Sequence, residues 1–210
     1  MRVRLHPPNT LPSQSFSNYG FWLGYSYNTT VEANEIVGNG NGVDIDHGQH
    51  NTIADNKLTN TNGPAVQLTS DGSANFPQVC LALPNQTASA TTLVTRNTFI
   101  ESNNFHLVLV NTTDSLVFDN YFGPALRPGA VSADALTTAS TAFDVGAPRP
   151  LAWPTRNIVG NAMLGGNWYV DYVGRDDSGD GIGDTDVPYT SNGAIKGGGD
   201  RFPLKIANSP

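Results

Sequence analysis

Five asparagines, Asn34, Asn56, Asn97, Asn120 and Asn161, each sit in a short run that resembles the others, and their spacing constrains the fold more than any other feature of the chain. The runs include Thr30-Val31-Glu32-Ala33-Asn34-Glu35-Ile36, Thr52-Ile53-Ala54-Asp55-Asn56-Lys57-Leu58 and Leu116-Val117-Phe118-Asp119-Asn120-Tyr121-Phe122. The steps between the asparagines are 22, 41, 23 and 41 residues. A basic period near 22, twice lengthened, is the signature of a solenoid, because one such unit cannot bury its apolar side alone and must stack on its neighbours.

A second ladder keeps the same beat. Gly20-Phe21-Trp22-Leu23-Gly24, Gly42-Val43-Asp44-Ile45-Asp46, Ala65-Val66-Gln67-Leu68-Thr69, His106-Leu107-Val108-Leu109-Val110 and Ala142-Phe143-Asp144-Val145-Gly146 all place apolar residues two apart. That is the period of a strand with one buried face. No segment carries a sustained helical period. The pattern predicts an all-β chain, a parallel β-helix of about five to seven coils of about 22 residues. The asparagines should stack at one corner, their amides satisfying one another and the turn backbone.

Breaks in the period divide the chain. Residues 1–17, with Pro7, Pro8 and Pro12, read as an N-terminal segment able to serve as a cap. Coils follow over 18–164, interrupted by insertions at about 70–90 and 123–140, and 165–210 reads as a C-terminal cap. Both insertions are expected beside one face, where they would wall a groove.

Composition limits the partners. The chain of 210 residues has a net charge of −7, and its only lysines are Lys57, Lys196 and Lys205, which argues against nucleic acid or an anionic membrane as partner. Met1 to Pro8 carries Arg2 and Arg4 with no apolar stretch after it, so neither a signal peptide nor a membrane span is expected in this sequence. Cys80 is the single cysteine and cannot form an internal disulfide. Sequons at Asn28, Asn85 and Asn111 suit an exported protein, extracellular, at the cell surface or periplasmic.

Alternation turns the residues between the buried ones outward. One outward column reads Trp22, Asp44, Gln67, Val108 and Asp144, with Asp46 in the next, Tyr25, His47 and His50 at the adjoining corner, and His106 in the preceding column. Aromatic rings stack on pyranose faces, while carboxylates and amides take the hydroxyls, so Trp22, Tyr25, Gln67, His50 and His106 are candidate contacts to a polysaccharide. Asp44, Asp46, His47 and Asp144 are the candidate catalytic groups, as paired carboxylates or a histidine with a carboxylate. The same outward polar residues also suit an ordinary solvated sheet.

Beyond the last asparagine, Asp176-Asp177-Ser178-Gly179-Asp180-Gly181-Ile182-Gly183-Asp184 offers oxygen donors at alternate positions around turn-forming glycines. Asp176, Ser178, Asp180, the Ile182 carbonyl and Asp184 fit a calcium loop. Val187 stands where a sensor loop carries a bidentate glutamate, so the expected role of calcium is structural. No residue pattern supports copper, since the only methionines are Met1 and Met163.

The tail also carries a resemblance. Gly165-Gly166-Asn167-Trp168-Tyr169-Val170-Asp171-Tyr172, Gly179-Asp180-Gly181-Ile182-Gly183-Asp184, Val187-Pro188-Tyr189 and Asp200-Arg201-Phe202-Pro203-Leu204 resemble the end of the NosD-type β-helix proteins. That family overlaps the CASH repeats of carbohydrate-binding proteins and sugar hydrolases. The resemblance implies a right-handed helix and an exported protein. The expected function is a module that binds, and in one version processes, polysaccharide. The alternatives are a structural module of a cell surface or filament, self-associating through its open ends, and a lyase, epimerase or glycosidase.

Overall fold

Short runs such as Thr-Val-Glu, Thr-Ile-Ala and Leu-Val-Thr are rich in β-branched residues and flanked by residues that turn, so each makes a strand of only a few residues. No strand of that length is stable alone; it gains its partners from the coils before and after it. The computed structural model describes residues 2–3, 18–70, 89–103, 105–127, 132–136 and 140–206. Most of the N-terminal segment expected at 1–17, and most of the insertion expected at 70–90, lie outside them.

Three five-stranded sheets run along the helix, and every pairing within them is parallel. The first contains β1 (Arg2–Val3), β3 (Thr30–Glu32), β6 (Thr52–Ala54), β10 (Leu93–Thr95) and β14 (Leu116–Phe118). The second contains β4 (Glu35–Val37), β7 (Lys57–Thr59), β11 (Thr98–Ile100), β15 (Tyr121–Phe122) and β19 (Trp168–Tyr169). The third contains β2 (Tyr19–Gly24), β5 (Asn41–Asp46), β8 (Val66–Thr69), β12 (Leu107–Val110) and β16 (Ser132–Leu136). This is a parallel β-helix, as the two ladders imply.

Its interior is filled by columns in register. Val31, Ile53, Val94 and Val117 stack in the first sheet, and Ile36, Leu58, Phe99, Phe122 and Tyr169 in the second. Val43, Val66 and Leu107, with Ile45, Leu68 and Leu109, close the third side, and all of these residues are buried. The second column widens toward the C-terminal end: Phe99, Phe122 and Tyr169 stack with successive ring centroids 5.1 Å apart.

The corner between the first and second sheets explains the asparagines. Ala33, Asp55, Arg96 and Asp119 precede them with φ between 54° and 57°, a left-handed conformation unfavourable for residues with a Cβ. The side chain that follows offsets that cost. Asn34 donates from its backbone N–H and its Nδ2 to Asn56 Oδ1, both at 3.0 Å, and Asn56 does the same to Asn97, and Asn97 to Asn120. Each Nδ2 also reaches corner carbonyls, as Asn97 does at Ile53 and Thr95.

The fifth rung corrects the expected ladder. Asn120 donates to Oδ1 of Asn167, not of Asn161. Asn161 instead bonds Asn157 Oδ1 and the Lys205 carbonyl. The chain leaves the helix after Gly146 and makes the antiparallel pair β17 (Arg149–Pro150) and β18 (Met163–Leu164), rejoining at β19. The step of 41 residues to Asn161 therefore matches the earlier one by coincidence. Asn167 in turn donates its backbone N–H to Asp200 Oδ2 at 2.7 Å, so a carboxylate ends the column of amides. Gly166 is required there, because a Cβ would stand 1.8 Å from Asp200 Oδ1.

The second insertion is also corrected. Residues 132–136 lie inside the span expected as a loop at 123–140, yet form the fifth strand of the third sheet, opposite β12. The run Ala142-Phe143-Asp144 was expected there; Ala142 bridges Leu116 instead, and Phe143 is buried in the core above the first sheet.

Candidate functional site

The outward faces of β2, β5, β8 and β12 form one shallow groove of about 380 Å³. Trp22, Asp44 and Gln67 are paired across adjacent strands, as are Gly24, Asp46 and Thr69, and these side chains line it with Tyr19, Ser70 and Val110. Parallel registration places them in one patch, since residues matched across neighbouring strands sit about 5 Å apart.

Trp22 is the most exposed of them, at 58%. A Cβ on Gly24 would fall 2.5 Å from its Cζ2 and Cη2, so the six-membered ring lies over the glycine along the strand. That posture leaves the indole as a flat platform at the rim.

Asp44 points the same way but is 5% exposed. Asn41 donates from Nδ2 to its Oδ2 at 2.9 Å. Burial pushes its carboxyl above the ordinary range; the Asn41 hydrogen bond opposes that shift, and the charge of Asp46 adds to it. Asp46 is more open and accepts from His47 Nδ1 at 2.7 Å. His47 is buried, with φ of 55°, and its ring stacks on Tyr25 at 5.0 Å between centroids. It supports Asp46 from below and does not line the groove.

Other expected residues lie elsewhere. Tyr25 is at the corner under His47, and His50 is exposed beyond it with its ring edge against Tyr27, 5.1 Å away. His106 is a core residue and not a face residue. Its Nε2 donates to the Gly123 carbonyl at 2.8 Å, and its Nδ1 accepts from Ser102 Oγ at 2.8 Å, with the ring packed beside both Phe99 and Phe122. Alternation fails for it because β12 begins one residue later. Asp144 is likewise removed from the column. It is buried against Arg201, which reaches its two oxygens at 2.6 and 2.9 Å, and these bonds hold its carboxyl below the ordinary range against burial.

Sequence reasoning missed Tyr19, Ser70 and the role of Asn41. Asn41 carried a signal, standing three residues before Asp44 in the same strand, close enough to reach its carboxylate.

In the tail, the Asp176 side chain gathers the loop around itself. Its Oδ1 accepts from Gly179 N at 2.7 Å and Asp180 N at 3.2 Å, and its Oδ2 from Gly181 N at 2.8 Å. Ser178 N donates to Asp184 Oδ2 and Ile182 N to Asp180 Oδ1. Gly179 and Gly181 have φ of 76° and 89°, the conformation that the close turn needs. Among the described residues no group of three or more histidine, cysteine or acidic side chains converges as a metal site.

Residues 13–79 match the family described as the right-handed beta helix region, which agrees with the parallel coils over residues 18–70. No curated protein and no solved structure matches the chain.

Proposed function

We propose that the chain is an exported carbohydrate-binding β-helix module of the NosD and CASH type, taking a polysaccharide along the groove of its third sheet. The observation that carries this is the platform of Trp22, 58% exposed, lying directly beside Asp44, Asp46 and Gln67 in one concavity. A pyranose ring stacked on the indole would bring its hydroxyls to these acceptors and to the Gln67 amide. Trp22→Ala should weaken binding to a responsive polysaccharide at least about tenfold, as loss of one aromatic anchor does. Affinity electrophoresis in gels containing neutral, amine-bearing or acidic polysaccharide checks it. Gly24→Ala supplies a second test, since its methyl group pushes the indole off the strand while keeping the ring. Unchanged mobility of both variants would reject the groove.

The contact between Asp46 and His47, beside an Asp44 carboxyl raised by burial, favours a second reading in which the groove also cleaves its glycan. Release of reducing ends or unsaturated products on incubation, absent in Asp46→Asn, would establish it.

Structural calcium belongs to the proposal as well. Asp176, Ser178, Asp180, the Ile182 carbonyl and Asp184 are the donors, and Gly181 N already bonds the first of them, curling the loop as a calcium turn requires. The tail would then cap the helix end, covering Tyr169 and Tyr189. With a dissociation constant a hundredfold below the free calcium, chelation should lower stability by about 2.7 kcal/mol. A melting temperature indifferent to chelator and to added calcium contradicts this.

A further inference from the structure

The charge of the groove specifies its ligand more narrowly than its shape does. The four strands that line it, Tyr19–Gly24, Asn41–Asp46, Val66–Thr69 and Leu107–Val110, contain no lysine or arginine. Two carboxylates two residues apart on one strand therefore face the same space, and the imidazole of His47 lies beneath one of them. Among the described residues, the ion pairs of Lys57 with Glu35, Arg96 with Asp55 and Asp119, Arg175 with Asp177 and Arg201 with Asp144 all lie outside the groove lining.

Such a site repels uronates and sulfated sugars, whose charges would meet Asp44 and Asp46 with no lysine or arginine on the strands that line the groove. A neutral sugar brings hydroxyls only. A sugar with a free amine brings an ammonium group to the carboxylates and a ring face to the indole, and an exposed indole also attracts cations.

Resting on the groove reading above, we infer that the ligand is an amine-bearing saccharide, a polymer of the unacetylated glucosamine class, held by Asp44 and Asp46 through its ammonium groups and by Trp22 through its ring. The upward displacement of the Asp44 carboxyl agrees with this, because burial beside a like charge is relieved when a cation arrives.

Calorimetric titration with three hexasaccharides, of glucosamine, N-acetylglucosamine and galacturonic acid, tests the inference. The glucosamine hexamer should bind at least about tenfold more tightly than its acetylated counterpart, and added salt should shrink that advantage. The double variant Asp44→Asn with Asp46→Asn should bind the glucosamine and acetylated hexamers with equal affinity, whatever that affinity is; the salt titration on the unaltered protein stands if that variant does not fold. Equal affinity of the unaltered protein for the two hexamers, or tighter binding of galacturonate, overturns the charge inference and leaves the groove standing. Absence of any binding that responds to Trp22→Ala overturns both.

Discussion

Asn97→Ala should lower the stability of the β-helix by about 4 kcal/mol, because it leaves several buried partners unsatisfied at about 1–3 kcal/mol each. Asn97 Oδ1 accepts from the backbone and the side chain of Asn56, and its Nδ2 donates to the carbonyls of Ile53 and Thr95. All of this is sealed, with Asn97 at 0% exposure and Asn56 at 2%. Alanine replaces none of these bonds, and the left-handed Arg96 before it, at φ of 57°, remains. Against a total of about 5–15 kcal/mol for a typical domain, that is a large fraction. Asn167→Ala should behave similarly, since Asn120 depends on its Oδ1 as Asn56 does on that of Asn97. Asn161→Ala should cost about 1 kcal/mol, the ordinary worth of an intramolecular hydrogen bond. Urea unfolding followed by circular dichroism measures all three. Equal losses at 161 and 167 would contradict the ladder as described.

A second large effect is expected on acidification, through His106. Burial pushes its pKa from 6.5 down to about 4, and the hydrogen bond to the Gly123 carbonyl opposes that only partly. The unfolded chain therefore takes up a proton between about pH 6.5 and pH 4 that the folded one refuses, so stability from this group is complete above 6.5 and is lost as pH falls through that window. The loss is about 3 kcal/mol at its full extent. Asp119 and Asp200 act with the opposite sign, because burial raises them to about 6 and about 7, so their contributions fall as pH rises. Comparing the protein with His106→Phe at each pH cancels those carboxylates. The deficit of the variant at pH 7 should shrink by about 3 kcal/mol at pH 4. A deficit independent of pH would mean that His106 is accessible to protons in the folded chain.

Fold and site were legible to different depths. The coils could be read because each rung repeats two local demands: an asparagine after a left-handed corner, and a strand with apolar residues two apart. Both are satisfied within a few residues, so they survive in sequence. Where the chain leaves and rejoins the helix, that logic fails. Asn161 kept the spacing but sits in the 149–164 excursion, whereas Asn167 broke the spacing and kept the motif, for Asn167-Trp168-Tyr169 repeats the Asn-x-aromatic pattern of Asn97-Thr98-Phe99 and Asn120-Tyr121-Phe122. The aromatic that follows two residues later was the better guide, because it fills the widening core column.

Asp144 was misplaced for a related reason. Alanine, phenylalanine, aspartate and valine alternate as β5 does, yet alternation names only a buried face and not the sheet that owns it; partner Arg201, 57 residues later, decides the location. Ser132–Leu136, the true neighbour of β12, has no large apolar alternation to announce it. Within unbroken register the reading of the face was sound. Trp22, Asp44 and Gln67 do form one row, although sequence gave no sign that Asp44 would be nearly covered while Trp22 stayed open.

The most direct test of the proposed groove is a titration of isotope-labelled protein with glucosamine hexamer, followed by two-dimensional NMR. The indole N–H of Trp22 and the amides of Asp44, Asp46, Gln67 and Thr69 should shift together along one binding curve, while the indoles of Trp153 and Trp168 stay in place. Shifts at Trp153 or Trp168 with Trp22 unmoved would put the ligand on another surface and contradict the account.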